Sequence, residues 1–193
     1  MTLASNLKWN RYVTATVAKA NRTLGLVRRN LHMCSKNIKS AAYFGLVRPN
    51  LEYATCAWDP YTVENKRKLE SVQHKAERIV AENYNWNISS EVITDELGWK
   101  TLEQRRKHQR LKLMYRAVNT QVSIRLPLTL NRSSVRISRQ SRHSKCFIPP
   151  QCRTDVYQNT FFPRTREWNA LPPELVESES ITVFSNRLNQ QHQ

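Results

Sequence analysis

The sequence predicts a mainly α protein. A helical bundle occupies residues 1–120, a basic extended arm follows over 121–156, and a small helical segment over 157–193 docks on the bundle. Three observations predict this. Apolar residues recur every three or four positions through most of the first 120, the repeat of a helix with one buried face. Cap residues and prolines punctuate those stretches where helices begin and end. Beyond Thr120 the helical period stops and the chain turns basic, and apolar spacing resumes near Tyr157.

The first helix runs over about residues 6–31. Trp9, Val13, Val17, Ala20, Leu24, Val27 and Leu31 share one face, and Lys8, Arg11, Lys19, Arg22 and Arg29 fall on the other. Ser35 caps a second helix that reaches Arg48. Pro49 lacks an N–H and pushes Arg48 away from helical geometry, so a break or sharp kink is expected there. A short third helix then passes Leu51, Tyr53 and Ala54 towards Trp58 and ends at Asp59-Pro60. Thr62 caps the next helix, which runs to about Asn83 with Leu69, Val72, Ala76, Ile79 and Val80 on its core face. Lys66, Arg67, Lys68 and Lys75 alternate there with Glu64, Glu70 and Glu77, a pattern of ordinary helix pairing. Ser89 or Ser90 caps a short helix ended by Gly98 in the left-handed conformation. Thr101 and Gln104 form a capping box for a helix ending near Asn119, whose apolar stripe is Leu111, Met114, Tyr115 and Val118. Near the C-terminus, Trp168 and Leu171 lie at helical spacing, Pro172-Pro173 stops that helix, and Ser180 caps a last one.

Composition excludes several functions. The 193 residues include 31 Lys and Arg against 15 Asp and Glu, a net charge of +16. The three glycines, Gly25, Gly45 and Gly98, are too far apart for a phosphate-cradling loop or a dinucleotide fingerprint. No apolar run approaches a membrane span, and the polar N-terminus has no signal-peptide core, so an intracellular protein is expected. Cys34, Cys56, Cys146 and Cys152 are expected as reduced thiols, the first two as small core residues. His143, Cys146 and Cys152 have one long gap and no fourth ligand, which disfavours zinc. Asp59, Asp95 and Asp155 are isolated, whereas two-metal phosphoryl transfer needs clustered carboxylates. No nucleophile motif is present, so neither catalytic residues nor a cofactor is expected. His74 and His108 read as surface or half-buried residues, and Trp9, Trp58, Trp99 and Trp168 as core packing.

Five strings, in order, carry a resemblance. They are Lys19-Ala-Asn-Arg-Thr-Leu-Gly-Leu-Val-Arg-Arg-Asn-Leu31 after Trp9, Leu46-Val-Arg-Pro-Asn-Leu-Glu-Tyr-Ala54 with Ala57-Trp-Asp-Pro60, and Leu69-Glu-Ser-Val-Gln-His-Lys-Ala-Glu-Arg-Ile79. Leu97-Gly-Trp99 leading into Thr101-Leu-Glu-Gln-Arg-Arg106 comes next, and Phe161-Phe-Pro-Arg-Thr-Arg-Glu-Trp-Asn-Ala-Leu-Pro172 is the last. Together they resemble the C-terminal part of the reverse transcriptase of non-LTR retrotransposons of the jockey or CR1 type. The resemblance covers nearly the whole chain and corresponds to the thumb and the region after it. The family's tyrosine-x-aspartate-aspartate palm motif has no counterpart here. The resemblance implies a helical bundle that grips a template–primer duplex mainly through its backbone.

Charge leads to the same expectation, because each phosphate neutralised by Lys or Arg releases counterions. Residues 100–116 carry seven basic residues against the single acid Glu103. Lys100, Arg105, Arg106, Arg110, Lys112 and Arg116 are therefore candidate phosphate contacts, and reversing Arg105, Arg106 and Arg110 is expected to flatten the salt dependence of duplex binding. The arm adds Arg132, Arg136, Arg139, Arg142 and Lys145, for which no packing role is evident in the sequence. Arg28 and Arg29 either compensate the dipole at a helix C-terminus or join the phosphate contacts. The partner expected is an RNA–DNA hybrid or RNA duplex read with little sequence specificity. The alternative is a protein-interaction module that pairs with a separate palm-containing reverse transcriptase chain or another partner.

Overall fold

The computed structural model describes residues 9–85, 87–124, 143 and 145–190. The described residues are mainly helical and contain no strand. No helix among them is long and apolar enough to cross a membrane. The chain forms two compact units, Met1–Arg106 and Lys107–Gln193.

In the first unit, α1 (Asn10–Asn30) buries Val13, Thr16, Ala20, Leu24 and Val27 along one face, as the 3–4 spacing demands. It is followed by α2 (Lys36–Ala42), a π-helical turn (Tyr43–Val47) and α3 (Arg48–Glu52). The backbone remains right-handed helical across both junctions, so the chain does not break at Pro49, and the expected short helix opens there with Pro49 in its first turn. The π turn supplies the reason. The Arg48 N–H donates to the Tyr43 carbonyl five residues back, and the wider turn makes room for the proline ring just behind it. Asn50 Nδ2 donates to the Leu46 carbonyl at 2.7 Å, satisfying an acceptor in the same turn.

The helix stops at Tyr53, and Ala54 turns through a left-handed conformation (φ 52°) into α4 (Thr55–Trp58). Trp58 is fully buried, and its indole N–H donates to the Tyr53 carbonyl at 2.6 Å. Next, α5 (Val63–Ala81) ends at Glu82, also left-handed (φ 57°). Ser89 caps α6 (Ser90–Glu96) by accepting from the Val92 N–H, and Gly98 (φ 63°) closes it. A core of Val13, Leu24, Tyr43, Leu51, Trp58 and Leu69 joins α1, the π turn, α3, α4 and α5, with Trp99 stacked on Tyr43 at 4.7 Å.

The next helix, α7 (Leu102–Val118), starts in the first unit and ends in the second. The capping box is present: Thr101 Oγ1 accepts from the Gln104 N–H, and Gln104 Oε1 accepts from the Thr101 N–H. The division at Arg106 lies well before the expected bundle limit at residue 120. The cause is the apolar stripe of α7. Leu111, Met114, Tyr115 and Val118 share a core with Phe147, Trp168, Leu175, Val176, Phe184 and Leu188.

The remaining second-unit elements are α8 (Asp155–Gln158), α9 (Thr165–Asn169), α10 (Pro173–Val176) and α11 (Ile181–Gln190). Pro173 opens α10 at its first position, where a missing N–H is harmless, so the proline pair both ends one helix and begins another. The last part of the expected arm is packed. Phe147 is buried, and its backbone exchanges two hydrogen bonds with the Asn169 side-chain amide, at 3.0 and 2.7 Å. Trp168 donates to the Lys145 carbonyl at 2.9 Å, which fixes the same strip of chain.

Candidate nucleic-acid interface

The sequence marks α7 as the leading basic element, and the fold ties down much of its charge. Its N-terminus is held by Glu70 of α5, whose carboxylate accepts from the Leu102 and Glu103 N–H groups at 3.1 and 2.8 Å. An anion at this end also complements the helix dipole. Arg105 makes a two-point pair with Glu52, its Nη2 lying 3.0 Å from Oε2, and this pairing holds the guanidinium more firmly protonated than usual. Arg106 is only 1% exposed, and its Nε donates to Asp59 Oδ1 at 2.8 Å. Arg110 is 7% exposed and its Nη2 reaches both oxygens of Glu167 at 2.9 Å.

Arg106 and Arg110 therefore act as internal anchors, and the half-buried Arg105 is engaged by Glu52, which differs from the expectation that all three face phosphate. The physical reason is the position of the acids. Glu52, Asp59 and Glu167 lie 53, 47 and 57 residues away along the chain, and folding brings them to the guanidiniums. Lys100 is half-buried, and desolvation lowers its ammonium pKa. Lys112 is half-buried, while Arg116 in the last turn is exposed. Arg132, Arg136, Arg139 and Arg142 lie outside the described residues. Lys145 donates to Asn119 Oδ1 at 3.1 Å.

Among the described helices, α1 carries the largest group of exposed positive charge, although single exposed Lys and Arg residues also lie on other elements. Arg11, Lys19, Arg22, Arg28 and Arg29 are all exposed, and the helix contains no acidic residue. At 100° per residue, Arg11, Arg22 and Arg29 fall within about 20° of one line along the helix, and the line is about 27 Å long. Among the described residues no carboxylate pairs with any of the three, nor with Lys19. Arg28 sits over the Tyr84 ring at 5.8 Å, a cation–π contact, and Arg29 lies back along the helix beside Gly25.

A sequence signal for this face exists and is easily overlooked. Residues 1–51 contain nine Lys and Arg and no Asp or Glu, and the first acid is Glu52. That acid is taken by Arg105 and Arg48. Lys39 is buried against Glu82, whose carboxyl is held below its ordinary range by that ammonium. The rest of the basic excess of this stretch has no local acid to meet.

Other candidate chemistry is accounted for by packing. His108 is buried rather than surface-exposed, and His143 is buried with Nε2 3.0 Å from the Trp168 carbonyl oxygen. The four cysteines are free and half-buried, so Cys34 and Cys56 sit at the margin of the core and not within it. No group of three or more His, Cys, Asp or Glu converges as metal ligands among the described residues. Comparison with protein-family models, curated proteins and solved structures found no match to this chain.

Proposed function

We propose that the chain is a non-catalytic nucleic-acid-binding protein that holds an RNA–DNA hybrid or RNA duplex by its backbone phosphates. The observation that carries this reading is the acid-free outer face of α1, where Arg11, Lys19, Arg22 and Arg29 meet solvent without a carboxylate partner among the described residues. Guanidinium and ammonium groups so placed exchange hydration for phosphate and release condensed counterions from the duplex. The face is a straight row of charge without an array of base-reading amides, which suits backbone contact with little sequence readout. Resemblance to the thumb region of a non-LTR retrotransposon reverse transcriptase supports the same role, with polymer synthesis left to a palm-containing chain.

The test is charge reversal of Arg11, Arg22 and Arg29 to Glu, with binding to a hybrid duplex followed by fluorescence anisotropy across a salt series. The triple variant is expected to bind at least tenfold more weakly at 0.1 M salt. Its log–log salt slope should flatten by roughly 3, about one for each phosphate that is no longer neutralised. Unchanged affinity and slope overturn the assignment to α1. Reverse transcription by the chain alone on a primed template with divalent metal overturns the non-catalytic part.

A further inference from the structure

In the continuous helix formed by α2, the π turn and α3, every exposed residue from Ile38 onward is apolar. Its exposed residues beyond Asn37 are Ile38, Ala41, Gly45, Leu46 and Pro49, and Tyr53 extends the row just past its end. Ile38 is 51% exposed, Leu46 57% and Tyr53 69%. Steps of 3, 4, 4 and 4 through 38, 41, 45, 49 and 53 keep them on one stripe, about 22 Å long. Single exposed apolar residues are normal, but an uninterrupted row over four turns is a mark of an interaction surface.

Two further observations fix what the stripe receives. At its centre Gly45 faces open space, since a Cβ built there would meet nothing within 4 Å. A small residue between Ile38 and Leu46 leaves a shallow saddle into which a ridge from another helix fits. The flanks are positive: Lys36 is exposed at one end, and the half-buried Arg48 packs its guanidinium over Phe44 at 4.3 Å beside the stripe. Between residues 36 and 54 the single acid, Glu52, is shared by Arg48 and Arg105, so one carboxylate faces two guanidiniums and the group keeps a net positive charge. A second copy of the chain would bring the same positive flanks against themselves, and a phosphate backbone gains nothing from an apolar row.

We propose that this face docks an amphipathic helix of another polypeptide, one that presents an apolar ridge to Ile38, Gly45 and Leu46 and acidic residues to Lys36 and Arg48. Its apolar anchors follow the i, i+3, i+4, i+7 pattern of helix-in-groove recognition, and its carboxylates set orientation and exclude a basic partner. The proposal is independent of the nucleic-acid reading, because the stripe and the basic row of α1 use different residues.

The test uses the full chain and three labelled 18-residue peptides. One is an amphipathic helix with a leucine ridge and Glu flanks, one has Lys flanks, and one is a scrambled sequence of the acidic peptide. The chain is expected to bind the first at least tenfold more tightly than the other two. Ile38→Gln with Leu46→Gln, a charge-neutral change at exposed positions, should remove that preference while leaving the thermal melt and duplex binding intact. Equal binding of the acidic and scrambled peptides overturns the proposal, since bulk charge then explains the result. It is also overturned by a wild-type dimer in sedimentation that I38Q/L46Q dissolves, or by loss of duplex binding in that variant.

Discussion

The helices α1 and α7 are both strongly basic, yet the fold treats their charge in opposite ways. On α7, Arg105, Arg106 and Arg110 each meet a carboxylate delivered from a distant part of the chain, and two of the three are buried. On α1 the charge stays outside: the first 51 residues supply no acid, and among the described residues no carboxylate pairs with Arg11, Lys19, Arg22 or Arg29. Lys68 and Glu64 of α5 pair with each other at 2.6 Å, and Glu70 caps α7. Charge density on a helix therefore identifies a polyanion surface only when the location of the acids is known as well. A guanidinium beside a buried carboxylate is a structural part; one facing water is available to a ligand.

The sharpest way to break this contrast is at Arg106. Arg106→Ala leaves Asp59, whose side chain is 7% exposed, without its 2.8 Å partner. The expected loss is about 3–5 kcal/mol of stability, measured by urea denaturation. Replacing Arg106 and Asp59 together with Leu should recover most of that loss, because the cost lies in a buried carboxylate deprived of its guanidinium counter-charge. A wild-type denaturation midpoint for Arg106→Ala would show that α7 is not anchored through this pair. Charge reversal of Arg105, Arg106 and Arg110 together is accordingly expected to unfold the protein before it reports on binding.

A smaller effect is expected at Arg110. Glu167 remains 29% exposed and can recover some hydration, so Arg110→Ala should cost about 2 kcal/mol. Proteolytic susceptibility of the second unit, which contains both partners, offers an independent readout. The smallest stability effect belongs to α1: Arg22→Gln should change stability by less than about 0.5 kcal/mol while flattening the salt slope of duplex binding by roughly 1. Ionic strength separates the two helices further. Raising salt from 0.1 to 1 M shortens the screening length from about 10 to about 3 Å, which weakens the solvent-facing row of α1 far more than the buried Arg106 pair. An Arg22→Gln variant that melts early, or binds with an unchanged slope, would reverse the roles given to the two helices.

Much of the helical architecture is legible in the sequence. The buried face of α1, a serine cap at Ser89 or Ser90, the left-handed Gly98 and the Thr101–Gln104 capping box follow from local spacing and short-range hydrogen bonding, and the structure selects Ser89. The departures share a cause. Pro49 is tolerated because the preceding turn widens to a π turn, a choice made by packing Tyr43 and Val47 inward. Residues 145–156 carry little helical pattern, and their order comes from Phe147 meeting Asn169 and Trp168 meeting the Lys145 carbonyl. The burial of His108 and the second-unit role of α7 likewise depend on neighbours far away in the chain.

By itself the sequence determined where helices form, which face of each is apolar, and that the molecule carries a large positive excess weighted towards its first 51 residues. These are properties of neighbouring residues, fixed by a 3.6-residue repeat and by local capping. Only the tertiary structure decided which positive groups stay in water. An ion pair between Arg105 and Glu52 or Arg106 and Asp59 spans about half a hundred residues, and no local pattern encodes it. The apolar row from Ile38 to Tyr53 was decided in the same way. A helix with two apolar faces must leave one uncovered when its neighbours can bury only the side that carries Tyr43, Val47 and Leu51.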